Sequence, residues 1–459
     1  MNRSGPAKSG AKADEVESWP PHHRVRSNAH PIEHRAYFPV LPFGFALLVA
    51  AVNPGTGWFS GLYVALAVGS LALLLQMRVL RWSGIDLLAL AAVVVVGASP
   101  YWHAESWISS SPSRGAVSSI VLFLGLRATV TDRARFLALT DVCGVIGTGY
   151  AVYFLGNASQ YDRATTRQAI EFANANYTGA VLAFTIVCTI FLLRATAPAT
   201  SFRKLLWTGS ALIQSYALYE TGSRSSFAGA FLGVLALLLG RRLSTKAYRL
   251  NGAILSILAF AAFIPRASDI FLFISSRLQS IGTFQRDSTS IDSLSGRAEI
   301  WREVQQSWKA SPFLGWGPGQ YYQPAGGDAD LVAHSWALEY LASVGIVGAG
   351  VVGLIIGWSY CVPAIHDSGI GRSWVLATSL ALAPNLALST HQWTAWAWAG
   401  FALWSVSASL EKGAVGDVPG AVKDPIRRSG DSAGPNRRVH AGSTRGPVTS
   451  VGRGYPERL

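Results

Sequence analysis

The apolar residues of this chain fall in long blocks separated by short polar connections, and this pattern constrains the fold more than any single motif does. Stretches such as 58–77, 344–364 and 392–409 approach the roughly 20 residues that a helix needs to cross about 30 Å of hydrocarbon. Half of the 459 residues are hydrophobic and only 14% are charged, with a mean hydropathy of +0.30. The composition disfavours a large soluble core and predicts an all-α, polytopic bundle of membrane helices.

Windows of about 19 residues predict about twelve membrane-spanning helices. The predicted spans lie at 38–53, 58–77, 84–99, 114–130, 134–155, 178–194, 203–220, 225–240, 248–265, 344–364, 373–390 and 392–409.

The formal charge of +13 comes mainly from Lys and Arg in the two tails and in every second connection between apolar blocks. That alternation is typical of cytoplasmic loops, so it indicates orientation in a cytoplasmic (inner) membrane with both termini inside, and not nucleic-acid binding. The basic residues used for this orientation are Arg78, Arg81, Arg127, Arg133, Arg135, Arg194, Arg203, Lys204, Arg241, Arg242, Lys246 and Arg249.

These patterns divide the chain into five segments. Residues 1–36 form a basic cytoplasmic tail without the apolar core of a secretory signal, and 410–459 form a second basic tail; both compositions predict disorder, and the C-terminal arginine pairs could contact anionic lipid head groups. Residues 37–265 contain spans one to nine, and 344–409 contain spans ten to twelve. Between them lies a large extracytoplasmic loop, 266–343.

No metal site or disulfide framework is expected. Cys143, Cys188 and Cys361 lie in or beside predicted spans without metal-type spacing, and the histidines of the N-terminal tail lack a carboxylate or cysteine scaffold. Asp141 and Asn385, the polar residues noted inside spans, are interpreted as hydrogen-bonding links between helices and not as a transport path.

The loop 266–343 is predicted to carry the function, because a connection of that length without spans of its own is uncommon unless it is functional. Its segment 295–309 has Ile300, Trp301, Val304 and Trp308 on one face, which predicts a short amphipathic helix lying on the membrane surface. The run GWGPG at 315–319 lacks the residues of a phosphate-binding loop and predicts a tight turn.

Two arginines and one histidine fall on the outer side in this topology. Arg224, at a span boundary, is open to three interpretations: snorkelling, pairing, or binding an anionic ligand. Arg297 opens the predicted loop helix, where the helix dipole disfavours a cation, so ligand binding is favoured. His334 is either a surface histidine or a proton acceptor, held neutral by repulsion from the two arginines.

Three motifs carrying these residues resemble those of the O-antigen ligase and polymerase superfamily. They are TGSRSSFAGAFLG (221–233), SGRAEIWREVQQSWKASPFLGWGPGQY (295–321) and AHSWALEYLASVGIVG (333–348), in that order. NANYTGAVLAF (174–184) is similar to the start of an earlier span in the family. One departure is Ser335, which stands where the family usually has asparagine, so the side-chain amide of the family is missing at that position.

The resemblance implies a GT-C-like membrane glycosyltransferase that needs no metal or other cofactor. It implies a polyprenyl-diphosphate-linked glycan as donor, used on the outer face of the cytoplasmic membrane, and an acceptor hydroxyl on a sugar, lipid or protein. By motif match, Arg224 and Arg297 would bind the diphosphate and His334 would activate the acceptor hydroxyl. Ser223, Asn176 and Ser335 are further candidates for substrate contact.

Several functions remain open at this point. A ligase and a polymerase of the same superfamily differ only in the acceptor, which the motifs do not identify. A transporter or flippase would call for repeated halves, broken spans and charges at the membrane midplane, none of which the sequence indicates. A membrane sensor or scaffold would leave the two arginines and the histidine replaceable.

Overall fold

The computed structural model describes the helical parts of the chain and the turns that join some of them. The described residues are 34–52, 61–76, 82–99, 101, 111–157, 159–160, 168–169, 175–195, 201–239, 289–318, 335–365, 369–388 and 394–407. The chain divides into two compact units, 1–416 and 417–459, and every described residue lies in the first.

The described part is almost entirely α-helical. Its helices are α1 His34–Tyr37, α2 Leu41–Val52, α3 Gly61–Gln76, α4 Gly84–Ala98, α5 Ser111–Thr129, α6 Arg133–Asn157, α7 Ala175–Ala195, α8 Ser201–Glu220, α9 Arg224–Leu239, α10 Thr289–Ala310, α11 Trp336–Ile365, α12 Gly369–Leu388 and α13 Ala395–Ser407. Between α6 and α7, β1 Ser159–Gln160 pairs antiparallel with β2 Gln168–Ala169, a short ladder that the sequence did not predict.

Each predicted span overlaps a described helix, except 248–265, which lies outside the described residues. Three helices in the described part are long and apolar enough to cross a membrane: Arg133–Asn157, Ala175–Ala195 and Trp336–Val362. Shorter apolar helices cover Leu41–Val52, Tyr63–Gln76, Gly84–Ala98 and Ser225–Leu239. The helical architecture is therefore confirmed, with three helices that could cross a membrane, while twelve spans, the extent of the outer loop and the cytoplasmic position of the termini stay predictions.

Helix α7 lies at the centre of the bundle and packs against α6, α8, α9 and α12. Because nearly every side of it is covered by protein, its apolar residues form a continuous run without the polar face of a surface helix. The aromatic core beside it centres on Trp374 of α12, whose ring lies 4.8 Å from that of Phe191 and 5.4 Å from that of Phe136. This core fixes α12 against the centre of the bundle.

Two of the basic residues used to predict orientation form ion pairs between helices. Arg127 lies in the last turn of α5, not in a loop, and its Nε donates to Asp86 of α4 at 2.7 Å with both side chains largely buried. Arg203 of α8 contacts Asp141 of α6 at 3.4 Å, and Tyr37 donates to the same carboxylate. Asp141 therefore links helices as predicted, and Arg127 has a structural role that weakens it as an orientation marker.

Candidate functional site

The first part of the site is the tight turn that joins α8 to α9. Helix α8 ends at Glu220, and Gly222 adopts φ +61°, a conformation that glycine reaches without steric cost. The amide of Gly222 donates to the carbonyl of Tyr219 at 3.0 Å, and the amide of Ser223 donates to the Thr221 hydroxyl at 3.2 Å. The sequence TGS thus ends one helix and starts the next within three residues.

Arg224 is the first residue of α9. The carbonyl of Ser223 accepts the amide of Phe227 at 3.0 Å, so Ser223 caps the helix and Arg224 lies at its positive end. A cation there is disfavoured by the helix dipole, whereas an anion is favoured by it. The structure describes the backbone of Arg224 but not its side chain.

The N-termini of α7 and α9 lie side by side at this turn. Ser223 donates to Asn176 Oδ1 at 3.1 Å, and Asn176 is the second residue of α7. The helices approach closely because residue 179 is glycine: a Cβ there would lie 2.4 Å from the Oγ of Ser226. Two parallel helix starts with an arginine beside them concentrate positive potential at one place.

The hydroxyls of the turn form a buried chain that ends on Asn385 of α12. Ser226 donates to Asn385 Oδ1 at 2.7 Å and Ser225 donates to the same oxygen at 3.1 Å. Ser223 lies 2.8 Å from the Oγ of Ser226 as well as within reach of Asn176. Since a hydroxyl has one proton, Ser223 donates to one of these two neighbours at a time. Ser223 and Asn176, predicted as possible substrate contacts, are thus bonded to each other, and Ser223 is only 2% exposed.

The second part of the site begins with helix α10. The predicted helix 295–309 is present but begins earlier, at Thr289, so Arg297 lies about two turns inside it. The sequence argument that Arg297 opposes the dipole at a helix start is therefore wrong, because the dipole effect fades beyond the first turn. The same argument applies to Arg224 instead. As with Arg224, only the backbone of Arg297 is described.

The apolar face of α10 packs on protein, and its position on a membrane surface stays a prediction. Val304 is fully buried against Leu338 and Ala342 of α11. The partly buried residues around this cluster are Ile300, Trp301, Trp308 and Trp316. The predicted amphipathic stripe is real, but its partner is a helix some 30 residues further along the chain, which periodicity cannot identify.

The turn that follows α10 is tight, as the run GWGPG predicted. Gly315 and Gly317 have φ of +68° and +96°. The amide of Gly315 donates to the carbonyl of Ser311 at 3.0 Å, and the Trp316 indole donates to the carbonyl of Ser307 at 2.7 Å. The turn is thereby held on the end of α10.

Helix α11 is broken at Gly345, which has φ +63° and ψ −172°, a combination that is essentially restricted to glycine. Beyond the break, the amides of Ile346 and Val347 do not continue the helix. They donate to the carbonyls of Pro312 and Phe313, at 2.8 and 3.2 Å. The sequence indicated no broken span, so this break is a finding of the structure.

The carbonyls that the break leaves on its other side are also satisfied by the turn. Trp316 donates its amide to Ala342 at 2.9 Å, and Gly317 donates to Ser343 at 2.7 Å. A Cβ on Gly315 would lie 2.5 Å from the amide nitrogen of Gly345, so both glycines are required for this approach. We call this arrangement, residues 312–317 bonded to 342–347, the loop clasp.

The remaining predicted residues lie at the start of α11. His334 lies outside the described residues. Ser335 is 3% exposed, and its carbonyl accepts the amide of Glu339 at 2.9 Å. The structure thus brings Ser223 and Asn176 together, while the described contacts do not join Ser335 to them. Helix α12 packs against both α9 and α11 and so links the two parts of the site.

Two features of this region go beyond the sequence predictions. Asn385 links helices as predicted, but its serine partners were not foreseen, and the break at Gly345 was not predicted. The signal for Asn385 was the pair of serines after Arg224, which need acceptors if buried. Within the described ranges, no group of three or more His, Cys, Asp or Glu side chains could hold a metal ion.

A comparison with known protein families matches the part of the chain that contains these elements. Residues 209–353 match the family model described as O-antigen ligase, a segment that contains the α8–α9 turn, α10, the loop clasp and the start of α11. No curated protein matches the chain. The three ordered motifs and the family match together indicate an O-antigen ligase family domain at residues 209–353.

Proposed function

We propose that this protein is a membrane glycosyltransferase that transfers a polyprenyl-diphosphate-linked glycan to an acceptor hydroxyl on the outer face of the cytoplasmic membrane. The observation that carries the proposal is the α8–α9 turn inside the matched family segment. There, two helix N-termini and Arg224 meet, supported by hydrogen bonds from Ser223 to Asn176 and from Ser226 to Asn385. Positive helix ends with a guanidinium are suited to a diphosphate.

In the proposed reaction, the acceptor oxygen attacks the anomeric carbon of the donor sugar, and the bond from that carbon to the diphosphate oxygen breaks. The acceptor proton passes to a ring nitrogen of His334, and the polyprenyl diphosphate leaves with the bonding electrons. Arg224 and Arg297 stabilise the charge on the leaving diphosphate. The protein therefore contributes positioning, charge stabilisation and one proton transfer.

The break in α11 bears on the rival transporter function, because broken helices in transporters expose backbone carbonyls that coordinate ions. Here, the carbonyls of Ala342 and Ser343 accept amides of the chain's own loop. The break thus serves to attach the loop that contains α10, which supports the transferase over the transporter.

The test is transfer by purified, reconstituted protein from an undecaprenyl-diphosphate-linked glycan to sugar, lipid and protein acceptors in the presence of EDTA. Arg224→Ala, Arg297→Ala and His334→Ala should each abolish transfer, with a loss of about 100- to 10,000-fold for the histidine. Arg302→Ala is the matched control, because Arg302 is an exposed arginine on the same helix as Arg297.

The size of the products distinguishes a ligase from a polymerase. A single shift of a lipid or protein acceptor indicates a ligase, and a ladder of glycan lengths indicates a polymerase. Normal transfer by any two of the three variants would refute the assigned roles. No transfer by the wild type with any acceptor would refute both enzyme functions and favour transport.

A further inference from the structure

Asn385 lies on α12, outside the matched family segment, yet it contacts the residues that follow Arg224. Its Oδ1 accepts the hydroxyls of Ser225 and Ser226, and its side chain is 1% exposed. Ser226 is fully buried. A buried hydroxyl needs an acceptor, so Asn385 satisfies two groups in the first turn of α9 with one oxygen.

The bond to Asn385 is the last step of a regular seam between α9 and α12. A Cβ on Gly233 would lie 2.7 Å from the carbonyl of Ala377, and a Cβ on Gly229 would lie 2.5 Å from the carbonyl of Ala381. Four residues further toward the N-terminus of α9 and the C-terminus of α12, Ser225 contacts Asn385. The two glycines let the backbones touch, as in small-residue contacts of membrane helices.

This seam fixes the start of α9 relative to α12. Glycine contacts alone permit the helices to slide, because they lack directional bonds, whereas the paired serine bonds to Asn385 have a fixed direction and length. The first turn of α9 is also bonded to α7 through Ser223 and Asn176. Arg224 thus starts a helix that is held on two sides, by an asparagine from each neighbour.

We infer that Asn385 is a positioning residue of the proposed diphosphate site, holding the first turn of α9 so that Arg224 faces the donor. The inference rests on the proposed function. Asn385 acts through Ser225 and Ser226 and not by touching the substrate. A purely structural role would instead lower the amount of folded protein without changing the affinity of that protein for the donor.

The test compares Asn385→Ala with Thr378→Val in the reconstituted transfer assay. Thr378 also lies on α12 and also accepts a buried hydrogen bond, from the Trp404 indole at 2.7 Å, but at a distance from the α9 start. Asn385→Ala should raise the donor KM about tenfold with a smaller change in kcat, since the two hydrogen bonds that hold the first turn of α9 against α12 are lost. Thr378→Val should leave the donor KM unchanged.

Two further variants separate positioning from packing. Asn385→Asp retains an acceptor for both serines and should keep most of the folded protein, but its negative charge should weaken binding of undecaprenyl diphosphate, measured without acceptor. Ser226→Ala should reproduce part of the KM increase, and adding it to Asn385→Ala should increase the effect little, because the two residues share one bond.

The outcomes distinguish this inference from the proposed function. If Arg224→Ala abolishes transfer while Asn385→Ala keeps the wild-type donor KM and wild-type affinity for undecaprenyl diphosphate, the positioning role is refuted and the transferase stands. If Arg224→Ala is fully active, the proposed function fails, and the inference fails with it.

Discussion

Replacing Gly345 by alanine should open the loop clasp. The new Cβ would lie 2.2 Å from the carbonyl carbon and oxygen of Phe313, and the backbone conformation at φ +63° and ψ −172° costs a non-glycine residue about 1–3 kcal/mol. The contact is with backbone, which cannot rotate away as a side chain would. The loop must therefore move off α11.

The magnitude follows from the hydrogen bonds that are exchanged. Opening the clasp breaks four backbone bonds, those donated by Trp316, Gly317, Ile346 and Val347. The last two amides can then bond within a continuous helix, four residues back, which recovers two bonds. The net loss of two bonds at about 1 kcal/mol each, with the loop packing that goes with them, gives about 2–4 kcal/mol.

The assay is hydrogen exchange on the detergent-solubilised protein, read by mass on peptides that cover 312–317 and 342–347. In Gly345→Ala, the amides of Trp316 and Gly317 should exchange about 30- to 1,000-fold faster, because 1.4 kcal/mol corresponds to a factor of ten. The amides of Ile346 and Val347 should stay protected in the continuous helix. Faster hydrogen exchange at Trp316 and Gly317, with unchanged protection at Ile346 and Val347, is the pattern expected only if the loop bonds are replaced by helix bonds.

Gly350→Ala is the matched control, since Gly350 lies on the same helix and a Cβ there meets nothing within 4 Å. Alanine in an ordinary helical position is favoured over glycine by up to about 1 kcal/mol, so this variant should exchange no faster than the wild type. Equal protection of Trp316 and Gly317 in Gly345→Ala and Gly350→Ala would refute the clasp.

Two further predictions concern contacts between helices and are measured by thermal unfolding in detergent. Gly229→Ala should destabilise the protein by about 1–3 kcal/mol through overpacking against α12, whereas Gly209→Ala, at an open position on α8, should not; equal melting of the two would contradict the seam. Arg127→Ala should cost about 3–5 kcal/mol because it leaves Asp86 buried without its partner, and the double variant Arg127→Met, Asp86→Leu should recover most of that loss. An unchanged melting temperature for Arg127→Ala would show that the pair is not buried.

Features that depend on local sequence were predictable. The hydropathy windows located α7 and α9 to within a few residues, because an apolar block has to be helical in a membrane. The turn TGS and the glycine-rich run after α10 also carry their signals in adjacent residues. The start of α10 at Thr289 was missed because the segment TSIDSLS lacks the apolar stripe by which the helix was recognised.

Features that depend on distant residues were not predictable from one sequence. Nothing in the run ASVGIVG indicates that the helix breaks at Gly345. The break depends on residues 312–317, which supply the hydrogen bonds that the helix loses there. In the same way, the amide of Asn385 signals a polar contact without naming Ser225 and Ser226 as the partners. The pairing of Arg127 with Asp86 could not be predicted from the sequence either, because the two residues lie in different predicted spans.

The loop clasp has a consequence for how deeply the loop can enter the membrane. The break lies at the edge of the predicted span 344–364, where hydrocarbon begins and a bare amide or carbonyl would cost several kcal/mol. At this junction, the carbonyls of Ala342 and Ser343 and the amides of Ile346 and Val347 are each bonded to a backbone partner in the turn. These four backbone groups therefore need no water as a hydrogen-bond partner. The chain can pass from the loop into the span beside lipid without leaving them unsatisfied.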